Sequence, residues 1–258
     1  MYNQLQLREI FHLEFLRYLA ADMPPGLWAL KGGVNLRLFF RSIRYSEDMD
    51  LDVESLPVES VKKRVMRLLG SPSFSANLKT YGIEGVKLPA IEKAKQTSTT
   101  QRFKVHLLTS SGEDYFTKIE FSRRGFSGGP VAESVPAAIL RPYGMAPLIV
   151  PHYPAADAAV QKISAVLSRS VLHARDIFDL YLLSTQVRPG AAGLTLPGGA
   201  EIARARENIL EPGFERFRDA VAAYLAPEDL KVYSVPAVWD EIKLKAAEFV
   251  AELEKNNG

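Results

Sequence analysis

The sequence predicts an α+β chain, with an α/β part first and a helical part after it. Three observations carry this. Residues 48–53, Asp-Met-Asp-Leu-Asp-Val, alternate acid and apolar with the period of a strand, residues 103–121 read as a hairpin, and beyond residue 155 apolar residues recur at helical spacing. The predicted division is an α/β core over 1–154 and a helical region over 155–258, with a Gly/Pro-rich loop at 189–199 as an internal boundary.

Residues 4–21 place Leu5, Ile10, Leu13, Leu16 and Leu19 at helical spacing, and Pro24-Pro25-Gly26 stops that helix. Trp28-Ala29-Leu30 reads as the end of a buried strand, Gly32-Gly33 as a turn, and Val34 to Phe40 as the helix that follows. After the acidic strand, Pro57 starts a helix from Val58 to Leu69, which Gly70-Ser71-Pro72 ends. Phe103, Val105 and Leu107 alternate on one strand of the hairpin, residues 110–114 turn, and Tyr115 to Phe121 return. Residues 122–154 read as a connection with short extended pieces. Helices are predicted over 155–169, 173–185, 200–210, 214–225 and 236–255.

The acidic strand is costly as packing alone. Successive strand side chains point to opposite faces, so Asp48, Asp50 and Asp52 share one face and Met49, Leu51 and Val53 the other. Like charges about 4 Å apart repel by roughly 1 kcal/mol in water and several times more near a protein surface. A divalent cation would turn that repulsion into coordination. The glycines before the preceding helix are the complementary half, since they let backbone N–H groups approach a ligand and a helix N-terminus favours phosphate.

Lys31-Gly32-Gly33, the helix with Arg37, and Arg44-x-Ser46-Glu47-Asp48-x-Asp50-Leu51 resemble the first motif of the AbiEii/AbiGii-type nucleotidyltransferases, a branch of the DNA polymerase beta-like superfamily. A second match runs from Lys162-Ile163-x-Ala165 through Arg169 to Arg175-Asp176-Ile177-Phe178-Asp179-Leu180, similar to the later lysine motif and Arg-Asp-x-x-Asp-Leu helix of that family. The two motifs frame roughly the first 185 residues.

The resemblance implies a polymerase beta-like core, a mixed sheet flanked by helices, followed by a helical C-terminal region. It implies transfer of an NMP group from an NTP to an acceptor hydroxyl by in-line displacement at the alpha phosphorus. Asp48 and Asp50 would bind Mg²⁺, and a third carboxylate on a later strand is implied, for which Glu120 is the candidate. Lys31, Gly32, Gly33, Arg37 and Lys162 would hold the NTP, and Asp176 and Asp179 would join Lys162 in the catalytic set. Gly33 stands where many superfamily members carry serine, which leaves phosphate binding to backbone amides. The family includes toxins that add nucleotides to transfer RNA ends, so RNA is the expected acceptor and an antitoxin protein the expected partner.

Read without the resemblance, several of these residues have blander roles. Glu120 reads equally as a strand glutamate paired with Lys118. Lys162 reads as a surface lysine whose stem lies along the apolar stripe of Val160, Ile163, Val166 and Leu167. Asp176 and Asp179, three apart on one helix side, could orient Lys162 or bond to Arg175 and Arg169. Two other functions stay open at this level: a silent nucleotide-binding or partner-binding regulator, and a phosphohydrolase using the same acids.

Composition narrows the class. The 258 residues are 47% hydrophobic and 24% charged, with a formal net charge of +2, so no strong nucleic-acid field is expected. DNA binding ranks lowest, as neither a helix-turn-helix nor a basic stripe is evident. The chain has no cysteine, which excludes disulfides, thiolate nucleophiles and cysteine zinc sites. A start without a basic flank and apolar core, and no apolar run of membrane-spanning length, set a cytoplasmic expectation.

Overall fold

The computed structural model describes residues 2–187 and 195–255. Two compact units emerge, Met1–Phe39 with Tyr45–Tyr153, and Phe40–Arg44 with Pro154–Gly258. Residues 189–194 of the predicted boundary loop lie outside the described residues.

The first unit is built on a mixed seven-stranded sheet in the order β3-β4-β5-β2-β1-β7-β6. Its strands are β1 Trp28–Lys31, β2 Asp48–Val53, β3 Ile83–Lys87, β4 Thr100–Thr109, β5 Asp114–Ser122, β6 Val131–Ser134 and β7 Ile149–His152. The β2–β5 and β1–β7 pairs are parallel and the others antiparallel. Five helices belong here: α1 Gln4–Asp22, α2 Gly32–Phe39, α3 Val58–Leu69, α4 Pro72–Lys79 and the short α5 Ala137–Leu140.

Local chemistry sets these elements. Asn3 and Gln6 form a reciprocal capping box at the start of α1. Of the apolar positions of α1, Ile10, Leu13, Leu16 and Leu19 are buried and Leu5 is half-buried, but Arg8, Glu9, His12 and Glu14 are buried too, because α1 packs on α3 and α4 and touches β5 and β7. The helix needs partners for those polar groups and finds them in the fold. Pro72 does end one helix, but with Ser71 as N-cap it also begins α4, since proline fits the first helical turn. The connecting stretch after Ser122 holds two paired strands, β6 and β7, too short for alternation to reveal.

The second unit is helical: α6 Ala155–Ser168, α7 Ala174–Ser184, α8 Gly199–Leu210, α9 Phe214–Ala220, α10 Pro227–Tyr233 and α11 Pro236–Lys255. The α11 helix packs on α7 and α8, and α6 packs on α7 and α8. Phe217 and Trp239 stack at 4.7 Å in this core, and Trp239 Nε1 donates to Pro212 O at 2.8 Å. The predicted helix over 214–225 breaks after Ala220 into a 3₁₀ turn at Ala222–Tyr224, and α10 begins at a proline that the sequence reading passed over.

Candidate active site

The sheet register assembles the acidic face. Asp50 on β2 pairs with Lys31 on β1 and with Glu120 on β5, Asp48 pairs with Lys118, and Glu120 pairs in turn with Arg102 on β4. Residues opposite one another in register share a face, so these six side chains lie on one side of the sheet. Leu30, Met49, Leu51, Phe103, Ile119 and Phe121 take the other side and are fully buried. Sequence alternation thus becomes a chemical partition across the sheet.

Lys118 and Arg102 each pair with a carboxylate on the open face. Lys118 Nζ lies 2.9 Å from Asp48 Oδ2 and 3.9 Å from Glu120 Oε2. Arg102 Nε donates to Glu120 Oε2 at 2.6 Å. Glu120 therefore has Arg102 as its nearer cation, and Lys118 belongs first to Asp48. The sequence offered Lys118 as the partner of Glu120 because both sit on one strand, whereas Arg102 arrives from the neighbouring strand.

Asp52 departs from the open row. It is 1% exposed, accepts from Lys31 Nζ at 2.5 Å on Oδ1, and accepts from the Tyr153 hydroxyl at 2.6 Å on Oδ2. With both oxygens engaged, it anchors Lys31 beside the glycine turn. Tyr153 lies 101 positions away in sequence, and no local pattern could announce it.

Gly32 begins α2 with φ +67°, a left-handed conformation that L side chains rarely adopt. A Cβ there would stand 2.7 Å from Asp50 Oδ2, so the turn backbone is laid directly against the carboxylate. Gly33 follows, buried in the first turn of α2. Arg37, on the same helix, is committed elsewhere: its Nε donates to Glu9 Oε2 at 2.6 Å and its guanidinium lies 4.0 Å over the Tyr45 ring.

Electrostatics record the crowding. Burial raises the Asp50 pKa above the ordinary carboxylate value; Lys31 and Lys118 oppose this, while Glu120 and Asp48 add to it. Asp48 Oδ1 is buried and has no hydrogen-bond partner. Among the described residues no group of three or more His, Cys, Asp or Glu is arranged to hold a metal ion by itself. Mg²⁺ is ordinarily held by one or two carboxylates completed by waters and substrate phosphates. An unpartnered Asp48 oxygen next to the crowded Asp50 fits that pattern.

The later motif forms a second cluster, within the helical unit. Lys162 Nζ on α6 contacts Asp176 Oδ1 at 2.9 Å and Asp179 Oδ2 at 2.7 Å on α7. One nitrogen of Arg44 reaches both oxygens of Asp179 at 3.0 Å, and Arg169 Nε stands 3.1 Å from Asp176 Oδ2. Burial works against the Lys162 ammonium and Arg44 adds to that, yet the two aspartates outweigh them and raise its pKa. Burial also disfavours the Asp176 carboxylate, but Lys162 and Arg169 prevail and lower its pKa. Three-residue spacing put the acids on one side; their full burial comes from the cations around them.

Among the described residues no helix is long and apolar enough to cross a membrane. Comparison with known proteins agrees with the fold. JHP933 of Helicobacter pylori is similar over 99% of this chain and 95% of its own, at 18% identity and a TM-score of 0.56. MenT4, a nucleotidyltransferase toxin of Mycobacterium tuberculosis, is similar over 96% of this chain and 84% of its own, at 16% identity and a TM-score of 0.62. No curated protein sequence matches the chain. The profile of the family described as "Nucleotidyl transferase AbiEii toxin, Type IV TA system" matches residues 15–234. Glycine turn, acidic strand and lysine helix all lie inside that match, and the chain belongs to the AbiEii family of nucleotidyltransferase toxins from type IV toxin–antitoxin systems.

Proposed function

We propose that this nucleotidyltransferase moves an NMP group from an NTP to the hydroxyl of an RNA acceptor, with transfer RNA as the favoured class, in the cytoplasm and under the control of a cognate antitoxin. The observation that carries the site assignment is the pairing of Asp48, whose Oδ1 is buried without a partner, with Asp50, laid against the Gly32 backbone.

Asp48 and Asp50 are the residues that would hold Mg²⁺, with Glu120 opposite Asp50 on β5 as the third carboxylate. When bound, the ion would supply charge neutralisation at the transferring phosphoryl group. The chain's own residues do the rest. Gly32 and Gly33 present a helix N-terminus to the phosphates without side-chain bulk. Lys31, anchored through Asp52, places a positive charge next to that turn. Within the helical unit, Lys162 holds its ammonium between Asp176 and Asp179, which keep it protonated. Arg37, bound to Glu9, acts in this reading by fixing α2 against α1.

The acceptor class is tested by incubating the protein with Mg²⁺ and each NTP labelled on the alpha phosphate, in the presence of total RNA and, separately, of protein extract. Label in RNA of transfer-RNA length supports the proposal. Label in protein alone would overturn the RNA assignment while leaving nucleotidyl transfer in place.

A further inference from the structure

On the acidic face Lys31 serves the buried Asp52, and Arg102 serves Glu120. Lys118 is the ammonium that meets Asp48, at 2.9 Å, and it touches one oxygen while the other has no partner. A divalent cation on Asp48 and an ammonium on the same carboxylate are like charges at close range, and they repel. Lysine is suited to yield, since its charge rides on a flexible four-carbon stem with rotatable donors.

We infer that Lys118 is a positioning residue that holds Asp48 in place of the divalent ion and couples ion binding to NTP binding. This rests on the reading of Asp48 and Asp50 as the ion-holding pair. Without nucleotide, an incoming ion displaces the ammonium from Asp48, which weakens ion binding. With nucleotide present, the displaced ammonium has anionic phosphate oxygens to receive it, so the penalty falls. Linkage then requires that the ion improve nucleotide binding by the same factor.

Mn²⁺ serves as the probe, with free Mn²⁺ read by electron paramagnetic resonance in titrations of the wild type, Lys118→Met, Lys118→Arg and Asp48→Asn. Each is run with and without an NTP analogue carrying a non-cleavable alpha–beta bridge. Removal of one like charge next to the ion is expected to tighten Mn²⁺ binding to Lys118→Met by about tenfold without nucleotide. In that variant the analogue should tighten Mn²⁺ binding less than it does in the wild type, since the phosphate ligands remain and only the displaced ammonium is gone, and Lys118→Arg should resemble the wild type. If Met at this position disturbs folding, Lys118→Gln carries the same expectation. Unchanged or weaker Mn²⁺ binding by the neutral variants, together with its loss in Asp48→Asn, would overturn the role of Lys118 alone. Wild-type Mn²⁺ binding by Asp48→Asn would instead overturn the ion-holding reading beneath it.

Discussion

Gly32, the first residue of α2, and Asp50 on β2 approach so closely that a Cβ on Gly32 would lie 2.7 Å from Asp50 Oδ2. Backbone conformation and carboxylate position are therefore one constraint. Gly32→Ala meets both a positive φ and that contact, and it should cost about 1–2 kcal/mol from the left-handed conformation alone. Thermal melts should show this loss, and nucleotidyl transfer should fall further than stability does. A variant with wild-type melting and wild-type transfer would show that the close approach is not needed.

Asp52 and Asp48 share a strand face but should behave as opposites. Tyr153→Phe removes a hydrogen bond to the buried Asp52 carboxylate, and bonds to charged groups are worth about 1.5–3 kcal/mol. Asp48 pairs with Lys118 where both side chains are about one-fifth exposed, and such partly solvated pairs contribute little, roughly 0–1 kcal/mol. Urea denaturation should thus rank Tyr153→Phe well below Asp48→Asn. The reverse order would refute the division between an anchoring and a chemical aspartate.

The helical unit offers a parallel test. Asp179 is fully buried and meets both Lys162 and Arg44. Breaking a buried pair by removing one partner costs about 3–5 kcal/mol, because an uncompensated charge stays behind. Asp179→Asn should destabilise by that order in chemical denaturation, whereas an exposed pair such as Lys245 with Glu241 should be nearly silent when broken.

His12 should make the fold acid-sensitive. Its Nε2 lies 3.0 Å from Thr117 Oγ1, whose own proton goes to Glu47 O at 2.7 Å, so Nε2 is the protonated nitrogen of a neutral ring. Burial, with help from Arg8, pushes its pKa down from 6.5 to about 3. Between these values the unfolded chain binds a proton that the folded chain refuses, so stability rises with pH across this window. It should fall on acidification below pH 6.5 by at most about 1.4 kcal/mol per unit from this group. His12→Gln, which can still donate to Thr117, should flatten the slope between pH 7 and pH 5 in urea titrations. Identical slopes in both proteins would remove His12 from the account.

What the sequence disclosed follows the range of its interactions. Alternation in residues 48–53 placed Asp48 and Asp50 on one face, because period two is a property of the strand itself. The strand pairs Phe103 to Phe121 were legible for the same reason, and the Asp176–Asp179 spacing followed from the helix. Asp52 shares that alternation yet is buried, and its partners Lys31 and Tyr153 explain why. Arg102 carried no signal for Glu120, since the register of the β4–β5 hairpin is set by its turn and not by the alternation of either strand. Arg8, Glu9 and His12 interrupt the apolar stripe of α1, and their burial depends on groups far along the chain, such as Thr117 and Tyr143. The helix α4 was hidden by a proline that serves as both stop and start.

In the proposed site Asp48 and Asp50 perform chemistry and do not hold the fold. This assignment is tested most directly by measuring incorporation of alpha-labelled NTP into RNA with wild type, Asp48→Asn and Asp50→Asn, beside their melting curves. Label is expected in RNA only with the wild type, and both variants should melt close to the wild type. Transfer that survives either substitution would contradict it, and so would variants that lose label only because they unfold.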